Sequence, residues 1–181
     1  ILFHIIQNME NFKVRLNRIK AFAFDVDGVF TNGQVYLFPG QEFVRSVNIK
    51  DGYAVQHCVK MGYPIAIISG GNSTEVAKRF KKLGVTDIYL GSSNKLEHYE
   101  DFRIKYGIEH EEMLYMGDDI PDYEIMQKVG VPVCPADAAT EIKEMSVYIS
   151  DKAGGDGCVR DVIEQVLRLH DKWWVDQSFE W

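Results

Sequence analysis

Short uninterrupted apolar runs alternate along this chain with longer segments in which apolar positions recur every three or four residues. The runs are AFAF (21–24), PIAIIS (64–69), DIYLG (87–91), MLYMG (113–117) and VPVC (131–134). Between and after them lie DGYAVQHCVKMG (51–62), STEVAKRFKKLG (73–84), KLEHYEDFRIKYG (95–107), DYEIMQKVG (122–130) and ATEIKEM (139–145). Runs apolar on both faces, separated by amphipathic helices, predict a parallel sheet covered on both sides, an α/β doubly wound fold. Gly62, Gly84, Gly107 and Gly130 each follow a helical segment ending in lysine, which predicts glycine stops with a cation at the negative end of the helix dipole. One stretch breaks the alternation. NGQVYLFPGQEFVRSVNIKDG (32–52) sets Val, Tyr, Phe and Val around Pro39-Gly40 and predicts a β-hairpin directly after the first strand.

Length and composition narrow this picture without changing it. The 181 residues, 46% of them hydrophobic, suit one compact unit with a real core. Residues 19–170 read as that unit, with 1–18 as an N-terminal extension and 171–181 as a C-terminal tail too short to be a domain. A net charge of -7 repels phosphate backbones and anionic lipid surfaces, so neither nucleic acid nor membrane is expected as a partner. Cys58, Cys134 and Cys158 form neither a disulfide framework nor a zinc pattern, which points to reduced thiols and a cytoplasmic protein.

The chemistry concentrates where the strands end. In open α/β sheets, ligands bind beyond the carboxyl ends of the strands. The first run ends in Asp25 and Asp27, the second in Ser69, Gly70 and Gly71, and the fourth leads into Asp118, Asp119 and Asp122, while Lys95 lies in a loop. Asp122 and Asp51, taken singly, fit turn or helix-capping roles, and Lys95 by itself fits a solvated surface. Asp25, Asp27 and Asp118 together do not fit capping. Carboxylates converging from two strands repel one another unless a proton or cation compensates, and oxygen ligands of this kind suit Mg2+.

FDVDGV, IISGG, the loop lysine and GDDIPD, in that order, resemble the haloacid dehalogenase superfamily of phosphotransferases. By that resemblance Asp25 is the nucleophile that forms an aspartyl-phosphate, and Asp27 is the general acid and then base, binding the metal through its backbone carbonyl. Ser69, Gly70 and Lys95 would hold the phosphoryl group, and Asp118 would complete the protein ligands to Mg2+. Asp119 and Asp122 would orient the metal shell and Lys95. The short spacing from Gly52 to Ser69 leaves no room for a cap domain, so the chain is similar to the capless branch, in which a homotetramer closes each site. DGVFTNG, NIKDGYAV and AGGDGCVRD, the last contributing Gly154, Gly155, Gly157 and Arg160, further resemble members acting on a small-molecule sugar-acid phosphate of lipopolysaccharide precursor synthesis. The implied substrate is the eight-carbon octulosonate rather than the nine-carbon nonulosonate. Asn32, Lys50, Asp51 and Arg79 would then be substrate-binding residues, with Arg79 or Lys78 meeting the sugar carboxylate because the loop after Ser69 carries no arginine. A phosphoacceptor switch or a non-catalytic oligomerising domain is the alternative of another class, disfavoured by the intact Asp25, Asp27, Lys95 and Asp118.

Overall fold

The computed structural model describes residues 10–180. Six strands form one parallel sheet: β1 (Ala21–Phe24), β2 (Ile65–Ile68), β3 (Asp87–Tyr89), β4 (Met113–Met116), β5 (Val131–Cys134) and β6 (Tyr148–Ile149). Their order is β3-β2-β1-β4-β5-β6, so the chain reverses direction across the sheet at β1, between β2 and β4. Phe24 pairs with Ile67 on one side and Met116 on the other, which aligns the carboxyl ends of three strands. Strands β1, β2, β4 and β5 are buried along their whole length, as continuous apolar runs require when helices cover both faces. One core layer contains Phe22, Phe24, Ile65, Ile67, Leu114 and Met116, and the opposite layer Ala21, Ala23, Ala66, Ile68, Met113 and Tyr115. These are alternate residues of the same strands, facing opposite ways as strand geometry dictates.

The helices are α1 (Phe12–Leu16), α2 (Ile49–Lys60), α3 (Thr74–Lys82), α4 (Lys95–Tyr106), α5 (Tyr123–Met126), α6 (Thr140–Met145) and α7 (Cys158–Leu169). Gly62, Gly84 and Gly107 end α2, α3 and α4 with positive φ, as predicted. Gly130 does not act this way. Helix α5 is one turn long, and a Cβ at Gly130 would meet the Glu111 backbone at 2.6 Å, so this glycine serves close chain approach. Two further expectations change. The segment after β1 folds back on itself, but its pairing is a single antiparallel bridge between Tyr36 and Val44 rather than two strands. A two-stranded ribbon with no layer beneath it has little to hold a longer ladder, and Leu37 and Phe38 are 70% and 51% exposed. Strand β6, only two residues long and not fully buried, has no apolar run to announce it. The first nine residues of the predicted N-terminal extension lie outside the described residues. The tail packs onto α2: Trp173 enters the core, the Tyr53 hydroxyl donates to the Ser178 carbonyl at 2.6 Å, and Lys60 Nζ donates to the Glu180 carbonyl at 3.0 Å. Among the described residues, no helix is long and apolar enough to cross a membrane.

Candidate active site

A cleft of about 1240 Å³ opens at the carboxyl edge of the sheet, lined by Asp25, Asp27, Ser69, Gly70 and Lys95 among others. Asp25 follows β1 directly, and its amide donates to the Met116 carbonyl of β4 at 3.0 Å, which locks the strand end to its neighbour. Lys95 begins α4 and is only 9% exposed, yet its ammonium reaches Asp25 Oδ1 at 3.0 Å and Asp122 Oδ1 at 2.7 Å. Asp122 is wholly buried. Its Oδ1 also accepts from the Tyr115 hydroxyl at 2.6 Å, and its Oδ2 accepts the backbone amides of Asp118 and Asp119 at 3.0 and 3.4 Å. All of its acceptor capacity is thus spent on holding Lys95 and the turn that carries Asp118.

Carboxylate oxygens of Asp25, Asp118 and Asp122 lie within 4.8 Å of one another. Burial, then the Asp122 charge, raises Asp25 to about 7 against the opposing pull of Lys95. Burial and the charges of Asp25 and Asp122 raise Asp118 to about 8. Burial works to discharge Lys95, but Asp25 and Asp122 outweigh it and hold the ammonium above its ordinary value. Three acids share one cation here, so a further positive charge is what the donor set lacks. Because Asp122 is committed to hydrogen bonds, Asp25 and Asp118 are the carboxylates open to a hard divalent ion. Gly28 makes their approach possible: with φ at +89°, a Cβ there would stand 1.9 Å from Asp118 Oδ2. On the other side of the same loop, a Cβ at Gly154 would stand 2.0 Å from the Gly28 carbonyl, so the glycine-rich stretch clamps the loop from behind.

Ser69 follows β2, is 3% exposed and accepts the Gly71 amide on Oγ at 3.1 Å. Asp27 is bound by Arg45, whose Nε donates to Oδ1 at 2.6 Å and Nη2 to Oδ2 at 3.1 Å. The pair raises Arg45 above its ordinary value, chiefly through the hydrogen bond to Asp27.

A family profile of haloacid dehalogenase-like hydrolases matches residues 76–162. The 3-deoxy-D-manno-octulosonate 8-phosphate phosphatase of Escherichia coli K12 is 35% identical over 158 residues, which span 87% of this chain and 84% of that protein. This chain belongs to the haloacid dehalogenase-like hydrolases. Among solved structures, the octulosonate phosphatase of Yersinia pestis superposes with a TM-score of 0.86 at 32% identity, covering 88% of this chain and 86% of that one. The enzyme of Moraxella catarrhalis, solved with a magnesium ion, a phosphate ion and the sugar acid, superposes with a TM-score of 0.83 at 32% identity, covering 87% and 90%.

In this hydrolase the expected phosphate-site residues converge, but the expected sugar-site residues do not. Asp51 is wholly buried against α7, where its Oδ1 accepts the Arg160 amide at 2.7 Å; burial raises it to about 6. It secures the start of α7, the capping role that its type also allows, and does not line the cleft. Arg79 lies over Gly52 and lines a groove between α3 and the fold-back, not the cleft. Lys50 is exposed in the first turn of α2, outside the cleft lining, and Asn32 is exposed with its Oδ1 turned back to the Gln34 amide at 3.1 Å. Asp119 accepts the Ile120 amide at 2.8 Å, while Lys95 is held by Asp25 and Asp122, so Asp119 does not orient the lysine. Arg160 lies over the Trp173 ring at 5.2 Å and belongs to the tail contact. Sequence reasoning missed Arg45 and Tyr115. Tyr115 reads as one more core residue of β4, and only its hydroxyl, which needs a partner when buried, hints at a site role.

Proposed function

We propose that this chain is a Mg2+-dependent phosphatase that hydrolyses 3-deoxy-D-manno-octulosonate 8-phosphate to the free sugar acid and phosphate, in the supply of lipopolysaccharide precursors. The observation that carries the reading is the buried cluster of Asp25, Asp118 and Asp122 around Lys95 at the switch point of the sheet. It is joined to a chain-long likeness to phosphatases of that substrate.

Asp25 and Asp118, with the Asp27 backbone carbonyl, would hold the ion. When bound, Mg2+ supplies positive charge that offsets the crowded carboxylates and draws phosphoryl oxygens toward Asp25. A carboxylate oxygen of Asp25 attacks phosphorus as the bond from phosphorus to the sugar oxygen breaks, and Asp27 gives its proton to that oxygen. Asp27, now ionised, takes a proton from water as the water oxygen attacks the aspartyl-phosphate, which frees phosphate and restores Asp25. Ser69 Oγ and Lys95 Nζ bind phosphoryl oxygens, and Asp122 keeps Lys95 aimed.

Residues 19–170 form the catalytic unit in this reading, and the protein works as a homotetramer. The support for assembly is the fold-back, which exposes Val35, Tyr36, Leu37, Phe38, Phe43 and Val44 together beside an open cleft. Three buried free cysteines suit a cytoplasmic setting. Phosphate release from the eight-carbon substrate and from the nine-carbon nonulosonate 9-phosphate, each with Mg2+ and with chelator, tests the reading. Metal-dependent release with a clear preference for the octulosonate is expected. Preference for the nonulosonate would replace the substrate, and release from neither would end the phosphatase reading.

A further inference from the structure

Arg45 is the one residue between Asn32 and Val47 that is not exposed. Its side chain is 10% exposed, and each of its terminal groups is committed: Nε and Nη2 grip the two oxygens of Asp27, and Nη1 donates to the Phe43 carbonyl at 3.0 Å. The guanidinium comes to rest on the phosphate loop. A Cβ at Gly71 would lie 3.3 Å from Nη2, 3.2 Å from Asp27 Oδ2 and 3.4 Å from Ser69 Oγ, so that glycine leaves the space in which the three side chains meet. A planar fork against a carboxylate fixes orientation as well as distance, which a lone ammonium does not.

We propose that Arg45 is the positioning residue of Asp27, reaching in from the fold-back to hold the ionised carboxylate at the angle from which it takes the proton of the attacking water. This rests on the role assigned to Asp27 above. Asp27 is 35% exposed at its side chain and lacks the packing that fixes Asp25 and Asp122, so without Arg45 its carboxylate is free to rotate into the cleft. A small error in the placement of a catalytic group is costly, about 100-fold for a displacement near 1 Å. The bland alternative is that Arg45 only tethers the fold-back. A second tether allows the two to be separated: Glu42 accepts from Ser73 Oγ at 3.2 Å and Thr74 Oγ1 at 3.1 Å, and makes no hydrogen bond to Asp27.

The test is a double-mutant cycle with Mg2+ and an aryl phosphate, which reads the chemistry whatever the sugar. Arg45→Ala is expected to lower kcat by about 10-fold to 100-fold with KM changed by less than about threefold, and Arg45→Lys to recover part of the loss. Glu42→Ala should leave kcat unchanged. In an Asp27→Asn background, Arg45→Ala should cost almost nothing further, because the group it positions no longer transfers protons. An equal Arg45→Ala effect in both backgrounds, or a loss in Glu42→Ala matching that of Arg45→Ala, would overturn the proposal while leaving the phosphatase standing. A wild-type protein that hydrolyses no phosphate monoester would remove both.

Discussion

Substituting Gly28 by Ala probes the metal site without replacing any charged group. The added Cβ would stand 1.9 Å from Asp118 Oδ2 and 2.4 Å from its Cγ. Ordinary contact lies near 3.5 Å, so the carboxylate has to retreat by roughly 1.5 Å. The loop has little freedom to move instead, because Gly154 packs on the Gly28 carbonyl from the other side and Gly155 donates to the Val29 carbonyl at 2.9 Å. Holding a non-glycine residue at φ +89° adds about 1–2 kcal/mol, or a fall of roughly 2–8 °C in melting temperature for a protein of this size. The catalytic cost is expected to be larger, about 100-fold or more in kcat/KM, since a displacement near 1 Å in a reacting constellation already costs that much. Calorimetric titration with Mg2+, thermal melting and phosphate release on the same preparation give the three numbers. A Gly28→Ala protein that keeps wild-type Mg2+ affinity and kcat/KM within about threefold would refute the placement of the ion between Asp25 and Asp118.

The raised pKa values of Asp25 and Asp118, at about 7 and about 8, make the metal-free fold bind protons that the unfolded chain releases above the ordinary carboxylate range. The contribution of these two groups to the stability of the metal-free protein is therefore fully present below about pH 4 and is lost as pH rises toward 8. Mg2+ favours the ionised carboxylates, so its stabilisation in urea unfolding should be greater at pH 8 than at pH 5; equal stabilisation at the two values would contradict the assignment. Asp27→Asn should lose most turnover yet bind Mg2+ nearly as well as the native protein, because its side chain is turned to Arg45 and the metal contact proposed for it is through the backbone. A loss of affinity as large as that of Asp118→Ala, read in the same titration, would contradict that role.

The parts of the fold that were legible are those fixed by local pattern. Strands buried on both faces must be apolar throughout, so β1, β2, β4 and β5 announce themselves, and the acids at their ends follow from the topology. Strand β6 was not legible because two half-covered residues leave no pattern, and the hairpin was over-read because its β-forming residues face solvent rather than a layer. At the phosphate end, Asp25, Ser69 and Asp118 were legible because each sits one or two residues past a strand, whereas Lys95, six residues past β3, stands out only through the order of the motifs. The sugar end was not legible. Asp51 carries the same side chain as Asp25, and only the tertiary packing of α2 on α7 turns it inward to the Arg160 amide. Arg45 pairs across 18 residues of chain with a partner that no sequence spacing specifies.

The central claim is that Asp25 carries the phosphoryl group between substrate and water. Acid quenching during turnover of 3-deoxy-D-manno-octulosonate 8-phosphate with Mg2+, followed by mass spectrometry of the peptides, tests it most directly. A phosphoryl adduct on the peptide containing Asp25, absent from Asp25→Asn along with the turnover, is the predicted result. Turnover that persists in Asp25→Asn, or an adduct on any other residue, would contradict the account.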